Sequence, residues 1–264
     1  MIIAGRTQLL DSASYPDAVR RLTALGYDGI EVGIYDRTFT PREAFFRDDF
    51  PEMILRAFEE NNVAAWSVGA HMDYTQDTEH FEAVEKAISV AKKISTKIVI
   101  ISGPFKNAEE PFEKQWQRQI EALKRLSCRA EREGICLAVE YEPGFVIDNH
   151  ELLLRAFSEV GSSSLRVNAD IGHFFLLEKD PIGTIETLKD LIVHAHIENM
   201  KTGVHNHLVP YEGDMDLRVY FRKLREIGFD GIASFDAYQY DYEAVSEKSV
   251  RYFKNLLKEI EKDA

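Results

Sequence analysis

The sequence predicts a single-domain α/β protein, a (β/α)8 barrel spanning residues 1–264, and three observations carry that prediction. Short apolar runs alternate with longer stretches of helical period from one end of the chain to the other. The runs are apolar on both faces, as strands of a parallel sheet are when helices cover them. Eight runs and eight helical stretches can be counted, and eight such units in about 250 residues close into a barrel.

Taken in order, the predicted strands cover residues 2–5, 29–34, 64–70, 97–102, 136–142, 165–170, 193–199 and 231–237. Helices are predicted between and after them at 15–25, 51–61, 79–94, 112–133, 150–159, 181–188, 217–227 and 243–261. Pro51 and Pro181 stand where a first-turn proline is tolerated. Gly26, Gly134, Gly161 and Gly228 follow helical stretches, as capping glycines do. Strict alternation demands parallel pairing with right-handed crossovers. An open doubly wound sheet is the alternative, but its G-x-G-x-x-G phosphate loop after an early strand is missing. No linker rich in Pro, Gly or Ser divides the chain.

A content of 45% hydrophobic and 29% charged residues places the protein among ordinary globular chains, away from disorder. The net charge of −13 makes a field that repels phosphate backbones, and no Lys/Arg cluster opposes it, so no nucleic-acid partner is expected. An acidic cleft suits cations instead. Cys128 and Cys136 make no disulfide framework and are expected to be buried free thiols. No apolar run reaches bilayer length and the N-terminus lacks a signal-peptide core, so the expectation is a cytoplasmic protein with no membrane partner.

In a barrel, chemistry gathers at the carboxyl ends of the strands. Here those ends carry Glu31, His71, Glu140, Glu142, Asp170, His173, His194, His196 and Asp236. Converging carboxylates repel one another unless a cation compensates them. Glu140, Asp170 and Asp236 with a neutral imidazole from His196 make an oxygen-rich set that suits Mn²⁺ first, then Mg²⁺ or Co²⁺, while Zn²⁺ also accepts Asp and His. Glu31 can pair with an arginine, support a ligand or touch substrate. His71 is either a satisfied polar residue at a loop start or a substrate contact. Glu142 shares the face of Glu140 and has three open roles, as ligand of a second metal, substrate contact or structural ion pair. Trp66, Phe105, Phe145 and Tyr238 fit core or loop packing as well as they fit sugar stacking.

These residues, in this order, resemble the xylose isomerase-like TIM barrels, the superfamily of sugar isomerases, ketose 3-epimerases, inosose dehydratases and the endonuclease IV type of DNA-repair enzyme. The resemblance covers essentially the whole chain. It rests on Gly26-Tyr27-Asp28-Gly29-Ile30-Glu31, on Glu140, on Asp170-Ile171-Gly172-His173, on His194-Ala195-His196, on Glu212-Gly213-Asp214-Met215-Asp216 and on Gly228-Phe229-Asp230-Gly231. It implies a divalent-metal enzyme acting on a small carbohydrate by proton abstraction next to a carbonyl, through an enediolate. Glu140 and Asp236 would be both ligands and proton-transfer bases, Asp170 and His196 plain ligands, and His173 a contact to site and substrate. Barrels of this kind are often homodimers or homotetramers.

The chain departs from the epimerase pattern in two places. The strand-eight acid is usually glutamate and here is Asp236, one methylene shorter. The arginine that ketose epimerases place after strand seven is replaced by His205 and His207, which makes His207 a substrate-contact candidate. The shorter arm argues against two-base epimerisation and keeps one-base chemistry open, either isomerisation by a shared base or a lyase reading, with dehydration of an inosose, a keto-sugar or dehydroshikimate. An endonuclease would need more metal-binding histidines and a basic face.

Overall fold

The computed structural model of the chain describes residues 1–12, 14–34 and 42–263. In chain order the strands are β1 (Ile2–Arg6), β2 (Gly29–Gly33), β3 (Ala65–Ala70), β4 (Ile98–Ile101), β5 (Cys136–Val139), β6 (Leu165–Asp170), β7 (Ile192–Ile197), β8 (Asn199–Lys201), β9 (Val204–Leu208) and β10 (Ile232–Phe235). All but β8 and β9 join in a closed parallel barrel, in the order β1-β10-β7-β6-β5-β4-β3-β2. The helices are α1 (Tyr15–Ala24), α2 (Arg42–Phe46), α3 (Phe50–Glu60), α4 (Thr78–Lys93), α5 (Phe112–Glu133), α6 (His150–Val160), α7 (Ile171–Leu177), α8 (Pro181–Thr187), α9 (Leu217–Glu226) and α10 (Tyr242–Asp263).

Local chemistry starts and stops these helices. Asp77, Asn149 and Asp180 accept backbone N–H bonds at the N-termini of α4, α6 and α8. Gly134 and Gly161 end α5 and α6 in the left-handed region, at φ 70° and 69°. Each amphipathic helix lays its apolar stripe on the barrel, and one continuous core joins strand and helix side chains.

The eight expected strands and helices are all present, and among the described residues there are three additions beside a short 3-10 turn. α2 and α7 are short helices, and β8 pairs with β9 as an antiparallel hairpin in the connection after β7. Neither thiol is buried as expected. Cys128 is exposed on the solvent side of α5 and Cys136 is half-buried at the start of β5, both free. No helix among the described residues is long and apolar enough to cross a membrane.

Strand alternation decides what enters the barrel. On β1, Gly5 faces the helices, where a side chain would strike Leu22 and Tyr27, so its neighbour Arg6 faces inward. Inside, a polar layer forms the floor of the site. Ser67 Oγ lies 3.0 Å from His194 Nε2, His194 Nδ1 donates to Asn168 Oδ1 at 2.8 Å, and Asn168 Nδ2 donates to Glu140 Oε2 at 2.6 Å. Burial pushes the His194 pKa down to about 3, so the ring is neutral and its single proton goes to Asn168.

Candidate metal centre and active site

A cavity of about 470 Å³ opens at the carboxyl end of the barrel, among its lining residues Arg6, His71, Glu140, Glu142, His173 and Asp236. That volume suits a small-molecule ligand. Its floor carries the candidate ligands, and each is aimed by its own local structure.

Asp170 ends β6 and caps α7. Its Oδ1 accepts from the His173 backbone N–H at 2.7 Å, which leaves Oδ2 buried with no hydrogen-bond partner. His196, on the neighbouring strand in register with Asp170, donates Nε2–H to Glu31 Oε2 at 3.0 Å. That bond orients the ring and turns Nδ1 toward the cavity. His196 Nδ1 is 3.0 Å from Glu140 Oε2 and 3.9 Å from both Asp170 Oδ2 and Asp236 Oδ2, yet makes no hydrogen bond. Glu31 in turn accepts from Arg6 Nε at 3.0 Å and Gln8 Nε2 at 3.3 Å through Oε1. Gly69 on β3 makes room for it, because a Cβ there would lie 2.5 Å from that oxygen.

Glu140, Asp170 and His196 therefore present ligand atoms within 4.8 Å of one another, all buried. Asp236 sits across from them with Oδ1 unpartnered, while its Oδ2 forms an ion pair with Arg6. Three buried polar atoms left without partners, on three different strand ends, are costly unless something completes them. A divalent cation fits: three carboxylates and one imidazole offer it oxygen and nitrogen donors, and the imidazole is held by a carboxylate on its far side as ligating histidines are.

The electrostatics point the same way. Burial opposes charge on Glu140, but His196, then His71 and His173, hold its carboxyl well below the usual range. Burial also opposes charge on His196, but Glu140 and Glu31 hold the imidazole well above its usual value. Asp170 is pushed up to about 6 by burial and by Glu140. Asp236 stays below its usual value because Arg6, His207 and His196 outweigh the cost of burial. The cluster thus has an excess of negative charge that calls for a cation at its centre.

The remaining predicted residues are placed as follows. His71 lines the cavity, with Nδ1 3.9 Å from Glu140 Oε2 and Nε2 without a bond partner. His173 and His207 line it beside His205. Glu142 lines it half-buried, its carboxyl pushed well above the usual range by burial and by Glu140, Asp170 and Asp236. Glu31, read as a candidate substrate contact, is fully buried below the cavity, with Oε1 bonded to Arg6 and Gln8 and Oε2 to His196. Trp66 packs on Phe58 and bonds the Ile94 carbonyl, away from the site, whereas Phe105 and Tyr238 stand on the cavity rim.

Three further site residues were not among the predicted contacts. Arg6 enters because β1 runs one residue beyond its expected end. Asn168 enters two residues before Asp170 on the same face. Glu198 follows His196 on the same face, accepts from Gly172 N at 2.7 Å through Oε1, and keeps Oε2 unpartnered beside Asp170. Residue alternation was the available signal for all three. The 212–216 motif has a structural part: Asn199 Oδ1 accepts from Met215 N at 2.9 Å and Asn199 Nδ2 donates to Pro210 O at 3.1 Å, which pins the loop carrying the hairpin.

With this geometry, similarity to known proteins becomes informative. The fructoselysine 3-epimerase of Shigella flexneri is 24% identical over 261 residues, covering 93% of this chain and 94% of its own. The inosose dehydratase of Bacillus licheniformis is 23% identical over 251 residues, covering 83% of this chain and 79% of its own. A solved D-tagatose 3-epimerase-like protein superposes with a TM-score of 0.83 at 18% identity, covering 100% of this chain and 99% of its own. A family profile described as xylose isomerase-like TIM barrel matches residues 19–256, and the chain belongs to that family.

Proposed function

We propose that this protein is a divalent-metal-dependent isomerase or epimerase of a sugar or sugar derivative, moving a proton at the carbon next to a carbonyl. The observation that carries the reading is the convergence of Glu140, Asp170 and His196, whose candidate ligand atoms lie within 4.8 Å of one another, with Asp170 Oδ2 and His196 Nδ1 unpartnered. Glu140, Asp170, His196 and Asp236 would hold the ion, Mn²⁺ first and Mg²⁺, Co²⁺ or Zn²⁺ as alternatives. When bound, the cation supplies positive charge that stabilises the negative charge developing on substrate oxygens as the neighbouring carbon loses its proton.

The chain's own residues do the rest. Asn168 holds Glu140 Oε2, which leaves Oε1 as the atom that takes the proton. His196 is oriented by Glu31, which acts through that histidine and touches no substrate. His71, His173 and His207 line the cavity, where they would meet the hydroxyls and carbonyl of a bound sugar. Asp236 is the base on the opposite side in a two-base epimerisation.

A second reading, a dehydratase, is favoured by two observations. Asp236 is short and tied to Arg6, which draws it away from base duty. Glu142 faces the same cavity, and burial with Glu140, Asp170 and Asp236 pushes its carboxyl well above the usual range, which favours the protonated form that would donate to a departing hydroxyl after Glu140 has removed the proton. The inosose dehydratase relative is consistent with this.

Incubating metal-loaded protein in D₂O with a panel of ketoses, inososes and keto-sugars separates the readings. Isomerisation or epimerisation leaves the substrate mass unchanged apart from deuterium at the carbon next to the carbonyl. Dehydration loses one water. Turnover that is unaffected by removal of the metal would overturn both.

A further inference from the structure

The seam between β1 and β10 is interrupted at the level of the active site. The two strands pair in parallel, with Ile2 opposite Ile232 and Ala4 opposite Ser234, and Ile2 N donates to Gly231 O at 2.9 Å. Such a ladder repeats every two residues, so its later rungs fall from Ala4 N to Ala233 O and from Arg6 N to Phe235 O. The last of these is not direct. The hydroxyl of Tyr242 stands in it: Arg6 N donates to the Tyr242 hydroxyl at 3.3 Å, and that hydroxyl donates to Phe235 O at 2.8 Å.

A carbonyl oxygen only accepts and a backbone N–H only donates, so the phenol's single hydrogen goes to Phe235 and a lone pair takes the Arg6 hydrogen. Both buried backbone groups stay satisfied while the strands are held one hydroxyl apart. Tyr242 opens α10 and is buried, with its ring stacked on Tyr27 and Phe235 at centroid distances of 6.2 and 5.6 Å. Tyr27, from the 26–31 motif, brings its own hydroxyl within 3.2 Å of the Tyr242 oxygen.

Continued by two residues, the register sets Arg6 opposite Asp236, and these two form the ion pair at the cavity. The backbone of Asp236 is held from both sides. Its N–H donates to Ile197 O on β7 at 3.1 Å, and the carbonyl before it is tied to Tyr242. A direct rung would draw residues 6 and 235 together by the width of the hydroxyl and carry the Asp236 carboxylate with them. We propose that Tyr242 is a positioning residue for the metal centre: its hydroxyl, inserted between β1 and β10, sets where the Asp236 carboxylate stands relative to Arg6 and the other ligands. This rests on Asp236 being a ligand of the ion, as in the proposed function.

The test is Mn²⁺ affinity, measured by chelator competition in wild type, Tyr242→Phe, Asp236→Asn and the double variant, with each fold checked by circular dichroism. Tyr242→Phe should bind Mn²⁺ about 10–100-fold more weakly, the range for losing a contact that orients a ligand. In the Asp236→Asn background the same change should cost nothing further, because its effect runs through the carboxylate. Tyr27→Phe removes a buried hydroxyl from the same cluster but spares the rung, and should bind Mn²⁺ as wild type does. A crystal structure of Tyr242→Phe should show Arg6 N and Phe235 O in a direct bond of about 2.9 Å. Unchanged affinity in Tyr242→Phe, an equal loss in both backgrounds or an equal loss in Tyr27→Phe overturns the proposal. So does a seam that stays open without the hydroxyl. If Asp236→Asn binds Mn²⁺ as tightly as wild type, the reading of Asp236 as a ligand fails, and this proposal with it.

Discussion

Arg6 at the end of β1 forms an ion pair with Asp236, the residue after β10, where the first and last strands close the barrel. The same guanidinium bonds Glu31 at 3.0 Å, so one buried cation serves two buried carboxylates. Removing one partner of a buried pair strands the other, at about 3–5 kcal/mol. Arg6→Met should therefore lower the urea-unfolding free energy by about that much in chelator-treated protein, and saturating Mn²⁺ should recover part of the loss. An unchanged urea midpoint would show that Arg6 is not the counter-charge of the site.

Glu31 acts on the metal through His196. Glu31→Gln keeps the side-chain shape but weakens the grip on Nε2–H, and the affinity for Mn²⁺ should fall about 10–100-fold. Competition with a chromophoric chelator measures this. Affinity equal to wild type would mean that His196 does not use Nδ1 as a ligand.

Glu140→Gln removes the proposed base while keeping the bond from Asn168 within reach. Turnover should drop at least the 10²–10⁴-fold typical of lost general-base catalysis, with far-ultraviolet dichroism and thermal unfolding close to wild type. Near-normal turnover would move the base elsewhere.

Asp236→Glu restores the longer arm of the epimerase pattern. The ratio of 3-epimerisation to other products should rise in this variant, read by chromatography of the ketose panel. A constant ratio would show that arm length does not set the reaction.

The barrel was legible because burial on both faces makes its strands uniformly apolar, and because carboxylates and imidazoles at apolar strand ends stand out. Glu140, Asp170 and His196 were singled out that way, and the structure brings their candidate ligand atoms within 4.8 Å of one another. Arg6 was lost by ending β1 at Gly5, although strict alternation from Ala4 already pointed it inward. The hairpin β8–β9 was hidden because its polar, histidine-rich stretch buries too little to show a period, and the convergence of His205 on His173 depends on that hairpin's turn. Glu31 was legible as polar and placed at a strand end, but whether it meets substrate or His196 depends on side-chain depth, which periodicity does not encode.

Anomalous diffraction at the manganese edge, from crystals of the Mn²⁺-loaded protein, tests the central claim most directly. The account predicts a peak about 2.0–2.2 Å from Glu140, Asp170 and His196 Nδ1, with Asp236 turned toward it. A peak elsewhere, or none at full loading, would contradict it.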